Sequence, residues 1–292
     1  MKERLVSVII PNYNYAHFLR EAIDGVLAQT YPDIEIIVID DGSSDASKEV
    51  LESYGDKIVT ILQRNQGVAA ARNNGVRLSH GEFLAFLDAD DSWLPEKIER
   101  EVQRFTTEAD LGLVHVGVRE VDGEDHDLRE RLNGGEGRIS DQLLMLSSGG
   151  ILGGGSGFMM PRVVFDEVGG FDTDLSTSAD WDLFYRVTSR YAIGFVPAVL
   201  LKYRVHGSNM HGNVAAMERD MTLAFEKAFR VMTPELFQIK RQAYGALHQN
   251  LAGSYFVAGK YLQFIRHAIR SLAFDPGNIV HFLKFPQKRN GR

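Results

Sequence analysis

The chain has no cysteine in its 292 residues. That excludes disulfides, iron–sulfur clusters and zinc sites built on thiolates, and it is compatible with a cytoplasmic location. Tryptophan is scarce at 2 and proline at 8. Lys and Arg number 32 against 39 Asp and Glu, a net charge of −7, so the basic excess of a nucleic-acid binder is missing and no nucleic-acid partner is expected. No apolar run reaches the roughly 18 residues of a membrane span. The nearest candidate, residues 143–160, is broken by glycines and serines. Residues 5–10 are too short for a signal-peptide core, and no Asn-x-Ser/Thr sequon occurs. What is present, 44% hydrophobic and 24% charged residues, is the composition of an ordinary globular chain.

The first hundred residues alternate short β-branched runs with amphipathic stretches. Strands are expected at 6–10, 34–39, 58–62 and 83–87, and helices at 18–28, 67–79 and after Pro95. Such alternation predicts an α/β domain with a mostly parallel central sheet flanked by helices. Later strands are expected at 111–118, 158–160 and 193–196, and helices at 163–168 and 180–190. Between them lies an acidic, then glycine-rich segment, with nine of the 28 glycines between Gly134 and Gly157 and a short helix expected at 141–147. From residue 214 only helical spacing remains. Met217, Met221, Phe225, Ala228 and Met232 form one stripe; Leu236, Ile239, Ala243, Leu247, Leu251 and Ser254 a second; Tyr261, Ile265, Ala268 and Leu272 a third. The expected organisation is a catalytic domain over 1–213, divided into halves 1–110 and 111–213, and an all-helical subdomain over 214–292.

Asp88 and Asp90 follow an apolar strand at i and i+2, which in extended chain places both carboxylates on one face. Ligands of open α/β sheets bind at the carboxyl ends of strands. Hard oxygen donors there suit Mg²⁺ or Mn²⁺ beside a diphosphate. A solvated turn capping the next helix is the plainer account of the same four residues. Tyr13 and Asp40 end the first two strands. A ring can stack on a nucleobase and a carboxylate can accept from base N–H or ribose O–H, or the pair can be a turn tyrosine and an N-cap.

Four segments together carry a resemblance: Val6-Ser-Val-Ile-Ile-Pro-Asn-Tyr-Asn14, Val38-Ile-Asp-Asp-Gly-Ser-Ser-Asp45, Asn65-Gln-Gly-Val-Ala-Ala-Ala-Arg-Asn73 and Leu84-Ala-Phe-Leu-Asp-Ala-Asp-Asp91. In order and spacing they resemble the nucleotide-binding half of family 2 glycosyltransferases, which have the GT-A fold, and the likeness extends from residue 5 to about 210. The resemblance implies that Pro11, Tyr13 and Asp40 hold the base and ribose of a nucleotide sugar, usually a UDP-sugar. It places Arg72 near the sugar or diphosphate, makes Asp88 and Asp90 the D-x-D pair with Asp90 the direct metal ligand, and leaves Asp91 a capping role. Gly169-Gly-Phe-Asp172 and Ala179-Asp-Trp-Asp-Leu-Phe-Tyr-Arg186 look like the family's acceptor block, with Asp180 as general base of an inverting reaction; the family often has Glu-Asp where this chain has Ala179-Asp180. Asp182 is the alternative carboxylate in that block, and Trp181 either stacks on a sugar or packs in the core. Tyr203-Arg-Val-His-Gly-Ser208 is similar to segments near the diphosphate and metal, with His206 a metal ligand, a phosphate contact or a structural residue.

The implied activity is metal-dependent transfer of a sugar from a nucleotide-diphosphate donor to a hydroxyl of a glycan or lipid-linked glycan, with Mn²⁺ or Mg²⁺ as cofactor. Two other classes compete. A sugar-nucleotide nucleotidyltransferase would carry a basic, glycine-rich first loop, and Pro11-Asn-Tyr-Asn14 is neither. A non-catalytic scaffold with a vestigial site would keep the helical tail as its working part. The glycine-rich run fails G-x-G-x-x-G, and 253–260 fails the P-loop spacing. Instead that run borders the acceptor side and either closes over the donor or is a plain connection. The segment 250–278 resembles one tetratricopeptide repeat, which cannot bury its own apolar face and must pack on the preceding helix, the catalytic domain or a partner. Residues 260–292 hold seven basic residues and one acid, and with Phe282, Leu283 and Phe285 this end is expected either to touch the inner face of an anionic membrane peripherally or to be a solvated tail.

Overall fold

The β-branched run that opens the chain forms β1 (Val6–Asn12), buried along its whole length. It pairs in parallel with β2 (Ile34–Asp40), register Asn12 to Asp40. On its other side it pairs, again in parallel, with β4 (Phe83–Phe86), while β3 (Val59–Leu62) extends the sheet beyond β2. The connecting helices are α1 (Ala16–Leu27), α2 (Ser47–Glu52) and α3 (Val68–Leu78). The order β3-β2-β1-β4 reverses direction at β1, which makes the carboxyl ends of β1 and β4 a topological switch point, the place where such sheets bind ligands. The computed structural model describes residues 4–108, 110–147, 149–207, 213–230 and 233–283.

Beyond β4 the sheet becomes mixed. β5 (Ser92–Trp93) precedes α4 (Lys97–Thr107), and β6 (Leu111–Val121) forms a hairpin with β7 (Asp127–Arg131). After α5 (Ser140–Leu144) come β8 (Phe158–Pro161), α6 (Arg162–Val168), α7 (Ala179–Thr188) and β9 (Ala192–Arg204). β8 is antiparallel between β4 and β6, and β9 runs parallel to β6. The short strand expected at 193–196 is in fact the 13-residue β9. At Pro197 the β6–β9 register shifts, and the bulge absorbs the residue that lacks an N–H. Neither β5 nor the charged, mostly exposed β7 has a hydrophobic pattern to announce it.

The described residues group into two compact units, 1–139 with 149–209, and 140–148 with 210–292. The first holds the whole sheet, with a continuous core running from Val8, Ile10 and Leu19 to Phe83, Val116 and Met159. The second contains α5 and the helices α8 (Val214–Ala228), α9 (Pro234–Val257), α10 (Tyr261–Phe274) and α11 (Ile279–Leu283). Asn213 and Thr233 cap α8 and α9 through their side chains, as their residue types favour. The second unit's core joins Phe225, Phe229, Tyr244 and Phe274, ring to ring at 5.5–5.7 Å, and Leu247 and Leu251. Met232 of the first stripe, Ser208, and residues 284–292 of the basic tail lie outside the described residues. On α10 the expected third stripe is not the buried face: Tyr261 and Ile265 are exposed and Ala268 and Leu272 half-buried, whereas His267 and Ser271 are buried against α9. No helix among the described residues is long and apolar enough to cross a membrane.

Candidate active site

The loops that follow β1 and β2 are laced together. Asp40 accepts from the Asn12 amide at 2.8 Å and from the Ser43 backbone N–H at 3.1 Å. Asn14, in the left-handed region at φ 59°, donates its N–H to Ser43 Oγ at 2.9 Å and accepts from Ser44 N–H at 2.7 Å. Asn tolerates that conformation better than other chiral residues. Pro11 is buried in β1, and Tyr13 between these fixed residues is 48% exposed, so its ring is available to a ligand at the strand ends. Asp41 completes the rim by accepting from the N–H groups of Gln66 and Gly67 at 2.9 and 2.8 Å, which fixes the entry to α3.

Four acids crowd the second strand end. Asp90 lies with Oδ2 3.0 Å from His206 Nε2, and the imidazole rests against Phe18 and Tyr15, 5.2 and 5.7 Å between ring centres. Burial raises the Asp90 pKa and the charge of Asp88 raises it further, opposed by His206. Asp91 is wholly buried, and its pKa stands well above the ordinary value, first from burial and then from Asp90 and Asp88. Its carboxyl accepts from Ser156 Oγ–H and, at 2.8 Å, from the backbone N–H of Arg204. Tyr203 is pushed far up by burial and by Asp91, Asp88, Asp180 and Asp90, which marks all four as neighbours of one phenol. Asp91 is thus the internal anchor of the turn; the capping role does not describe it.

Arg72 reaches from α3, its guanidinium ion-paired with Asp88 and 5.1 Å over the Phe171 ring. The next residue, Asn73, exchanges two hydrogen bonds with the Phe171 backbone at 2.8 and 2.9 Å, so the Gly-Gly-Phe-Asp block is tied to α3. The glycine-rich run turns through Gly154–Ser156 directly beside this pair. A Cβ on Gly155 would stand 2.1 Å from Arg72 Nη2 and 2.9 Å from Asp88 Oδ2; one on Gly154 would stand 3.1 Å from Asp180 Oδ2. Two adjacent glycines therefore lie between Asp180 and the Arg72–Asp88 pair. Asp180 sits in the first turn of α7 and accepts from the Trp181 N–H at 2.8 Å.

Both residues expected on the acceptor side have partners on α7 itself. Asp182, expected on the acceptor side, is 4% exposed and gives both its contacts to Arg186, at 2.8 and 2.7 Å. Arg186 in turn donates to the carbonyls of Val168 and Gly170, so this ion pair staples α7 to the end of α6. Trp181 stacks on Tyr185 with ring planes 5° apart. Conversely, the residue-level reading missed Ser156 and Arg204. Ser156 is fully buried; its Oγ accepts from Asp88 N–H at 3.0 Å and its carbonyl accepts from the Trp93 indole at 2.9 Å. It is the single polar side chain from Gly149 to Phe158, the one available signal. Arg204 donates to the Asp90 carbonyl at 3.0 Å and to Glu21 at 2.6 Å, with Phe18 under its guanidinium at 4.7 Å. Its sign in the sequence was its place two residues before His206.

The family described as glycosyl transferase family 2 matches residues 7–169, and the chain belongs to that family. The match covers β1 through α6 and stops before Asp180 and His206. An uncharacterised glycosyltransferase of Rickettsia typhi is 34% identical over 255 residues, 85% of this chain and 78% of its own. The fold is that of the GT-A type. Among solved structures, S. aureus TarS 1–349 in complex with UDP-GlcNAc is similar with a TM-score of 0.65 and 14% identity, over 92% of this chain and 91% of that one. The mannosyltransferase PcManGT from Pyrobaculum calidifontis, in complex with GDP-Man and Mn²⁺, is similar with a TM-score of 0.64 and 19% identity, over 97% and 81%.

Proposed function

We propose that this family 2 glycosyltransferase inverts the anomeric centre, moving a sugar from a nucleotide-diphosphate donor, a UDP-sugar, to a hydroxyl of a glycan or lipid-linked glycan. The observation that carries it is the position of Asp180, separated from the Arg72–Asp88 pair by the bare backbone of Gly154 and Gly155. The two glycines let the backbone pack close against Arg72, Asp88 and Asp180, so these groups border one short stretch of chain, and in this reading the donor diphosphate lies toward Arg72 and the acceptor hydroxyl toward Asp180. Asp180 takes the hydroxyl proton, the freed oxygen bonds to the anomeric carbon from the face opposite the diphosphate, and the carbon–oxygen bond to phosphate breaks with its electron pair leaving on the diphosphate. Tyr13 and Asp40 stand at the strand ends for base and ribose, with Pro11 fixing the strand's exit.

A divalent cation fits the acid cluster. Asp90 and His206, with Asp88 beside them, offer oxygen and imidazole donors. Among the described residues no three acids or histidines form a complete cage, and Mg²⁺ or Mn²⁺ commonly takes only one or two carboxylates plus substrate phosphates. When bound, the cation would offset charge developing on the departing diphosphate. A cytoplasmic enzyme serving a lipid-linked acceptor would also gain from peripheral contact of its basic C-terminal tail with the membrane's inner face.

The test is Asp180→Asn, assayed with Mn²⁺ and a panel of nucleotide sugars. Donor binding by thermal shift should persist while transfer falls by several orders of magnitude. Transfer near the wild-type rate would remove Asp180 as base, and absence of donor binding and hydrolysis in the wild type would favour a scaffold.

A further inference from the structure

Helix α10 buries the wrong face for a core helix. Its inward positions include His267 and Ser271, both fully buried, while Leu262, Ile265 and Ile269 are 83%, 51% and 64% exposed. Those three stand at i, i+3 and i+7, one face of the helix. Just beyond, Ile279 and Val280 of α11 are 45% and 54% exposed. An aliphatic surface of this kind marks an interaction site rather than an ordinary surface.

Charge selects the partner. Without the tail 284–292 the helical unit carries eight Lys and Arg against six Asp and Glu, a net of +2, whereas the unit that holds the sheet carries 20 against 33, a net of −13. Between residues 260 and 283 one acid, Asp275, stands against three bases, Lys260, Arg266 and Arg270. Arg270 is exposed on the flank of the aliphatic stripe, and Lys260 is exposed just before the helix. A basic flank beside exposed aliphatic residues matches a surface with anionic headgroups above acyl chains. A nucleic acid would satisfy the bases but leave the isoleucines in water. A second copy of this unit would bring two sets of like charge together.

We propose that α10 and α11 dock this protein on an anionic lipid bilayer, with Leu262, Ile265 and Ile269 inserted at the headgroup–acyl boundary and the flanking bases on the headgroups. The docking face is on the folded helices, distinct from the basic tail at 284–292, and it does not depend on which sugar the enzyme transfers.

The test uses the full chain in co-sedimentation with vesicles of phosphatidylglycerol and phosphatidylcholine, against vesicles of phosphatidylcholine alone. The wild type should bind the mixed vesicles at least tenfold better, and rising salt should weaken binding. Ile265→Glu/Ile269→Glu should lose most of that binding with an unchanged thermal midpoint, because both side chains already face water. A chain ended at residue 283 should retain binding that these substitutions still abolish. Equal binding to both vesicle types overturns the proposal. So does wild-type binding by the glutamate variant, loss of binding on removing 284–292 alone, or a stripe that proves to hold a dimer in sedimentation velocity. Binding to an RNA oligonucleotide unaffected by the glutamates, without vesicle binding, assigns the bases to nucleic acid and equally overturns it. Sugar transfer by the glutamate variant in detergent, with a soluble acceptor, separates failure of docking from failure of the enzymatic assignment.

Discussion

Ser156 accepts a hydrogen bond from the backbone N–H of Asp88 at 3.0 Å, and with the same hydroxyl donates to the carboxyl of Asp91. One buried oxygen thus fixes both ends of the acidic turn from across the sheet. Asp91 holds in turn the Arg204 N–H, and Arg204 holds the Asp90 carbonyl. The turn's shape is therefore set by groups that need never touch a substrate.

Ser156→Ala should leave Asp91 with one fewer donor and free the Asp88 backbone. An unsatisfied buried group costs about 1–3 kcal/mol. Thermal unfolding should register that loss, and donor turnover should fall about 10- to 100-fold. Ser156→Thr, which keeps the hydroxyl, should recover more activity than stability. Equal activity in Ser156→Ala and wild type would separate the turn's geometry from catalysis.

Gly155→Ala introduces a methyl where only 2.1 Å separates it from Arg72 Nη2. Arg72 is 5% exposed, so its guanidinium can yield only by moving off its present partners, Asp88 and the Phe171 ring. Turnover should be lost together with a fall in thermal midpoint, because the methyl must push Arg72 and Asp88 aside, and donor affinity by titration calorimetry should drop at least tenfold. Normal donor affinity would mean that the diphosphate lies away from this pair.

Removal of divalent cations with a chelator should abolish transfer, and Mn²⁺ or Mg²⁺ should restore it. Asp90→Ala should lose the restoration, and His206→Gln should weaken it, measured as the cation concentration giving half-maximal rate. Full activity in chelator would overturn the cation assignment.

His115 carries a pH signature. Burial holds its pKa down at about 4, opposed by its contact with the Gly135 carbonyl and aided by Lys97. The folded imidazole stays neutral while the unfolded one takes up a proton below its usual 6.5. The contribution is fully present above pH 6.5 and is lost as pH falls toward 4, on the order of 3 kcal/mol across the window. His115→Gln keeps a donor and an acceptor but does not titrate. The difference in thermal midpoint between wild type and variant should shrink between pH 7 and pH 5, and a constant difference would exclude His115 as the source.

The order of strands and helices in the sheet's first half was legible because its central strands β1, β2 and β4 are apolar runs that give way to polar turn residues, as at Asn14 and Asp88. The second half was less so. β7 is all charge and leucine, β5 has two residues, and Pro197 concealed a 13-residue strand. Motif residues pointed to the crowding of acids, which the structure places around Tyr203. Motifs could not reveal that Asp182 is spent on Arg186, because i,i+4 pairing on α7 depends on which face meets α6. Nor could they reveal Ser156, since a serine among glycines resembles a linker until its hydroxyl has partners.

His115 joins two distant points of the chain. Its Nδ1 accepts from the Leu152 N–H at 3.1 Å and its Nε2 lies 2.8 Å from the Gly135 carbonyl. One imidazole therefore ties the neck of the loop 136–151, and residues 152–157 begin from a fixed origin. Chain inserted or deleted inside the loop would leave that origin unmoved. The glycine edge and Ser156 thus take their register from His115 rather than from the path of the chain between, in which Ile139, Leu143 and Leu144 are themselves buried.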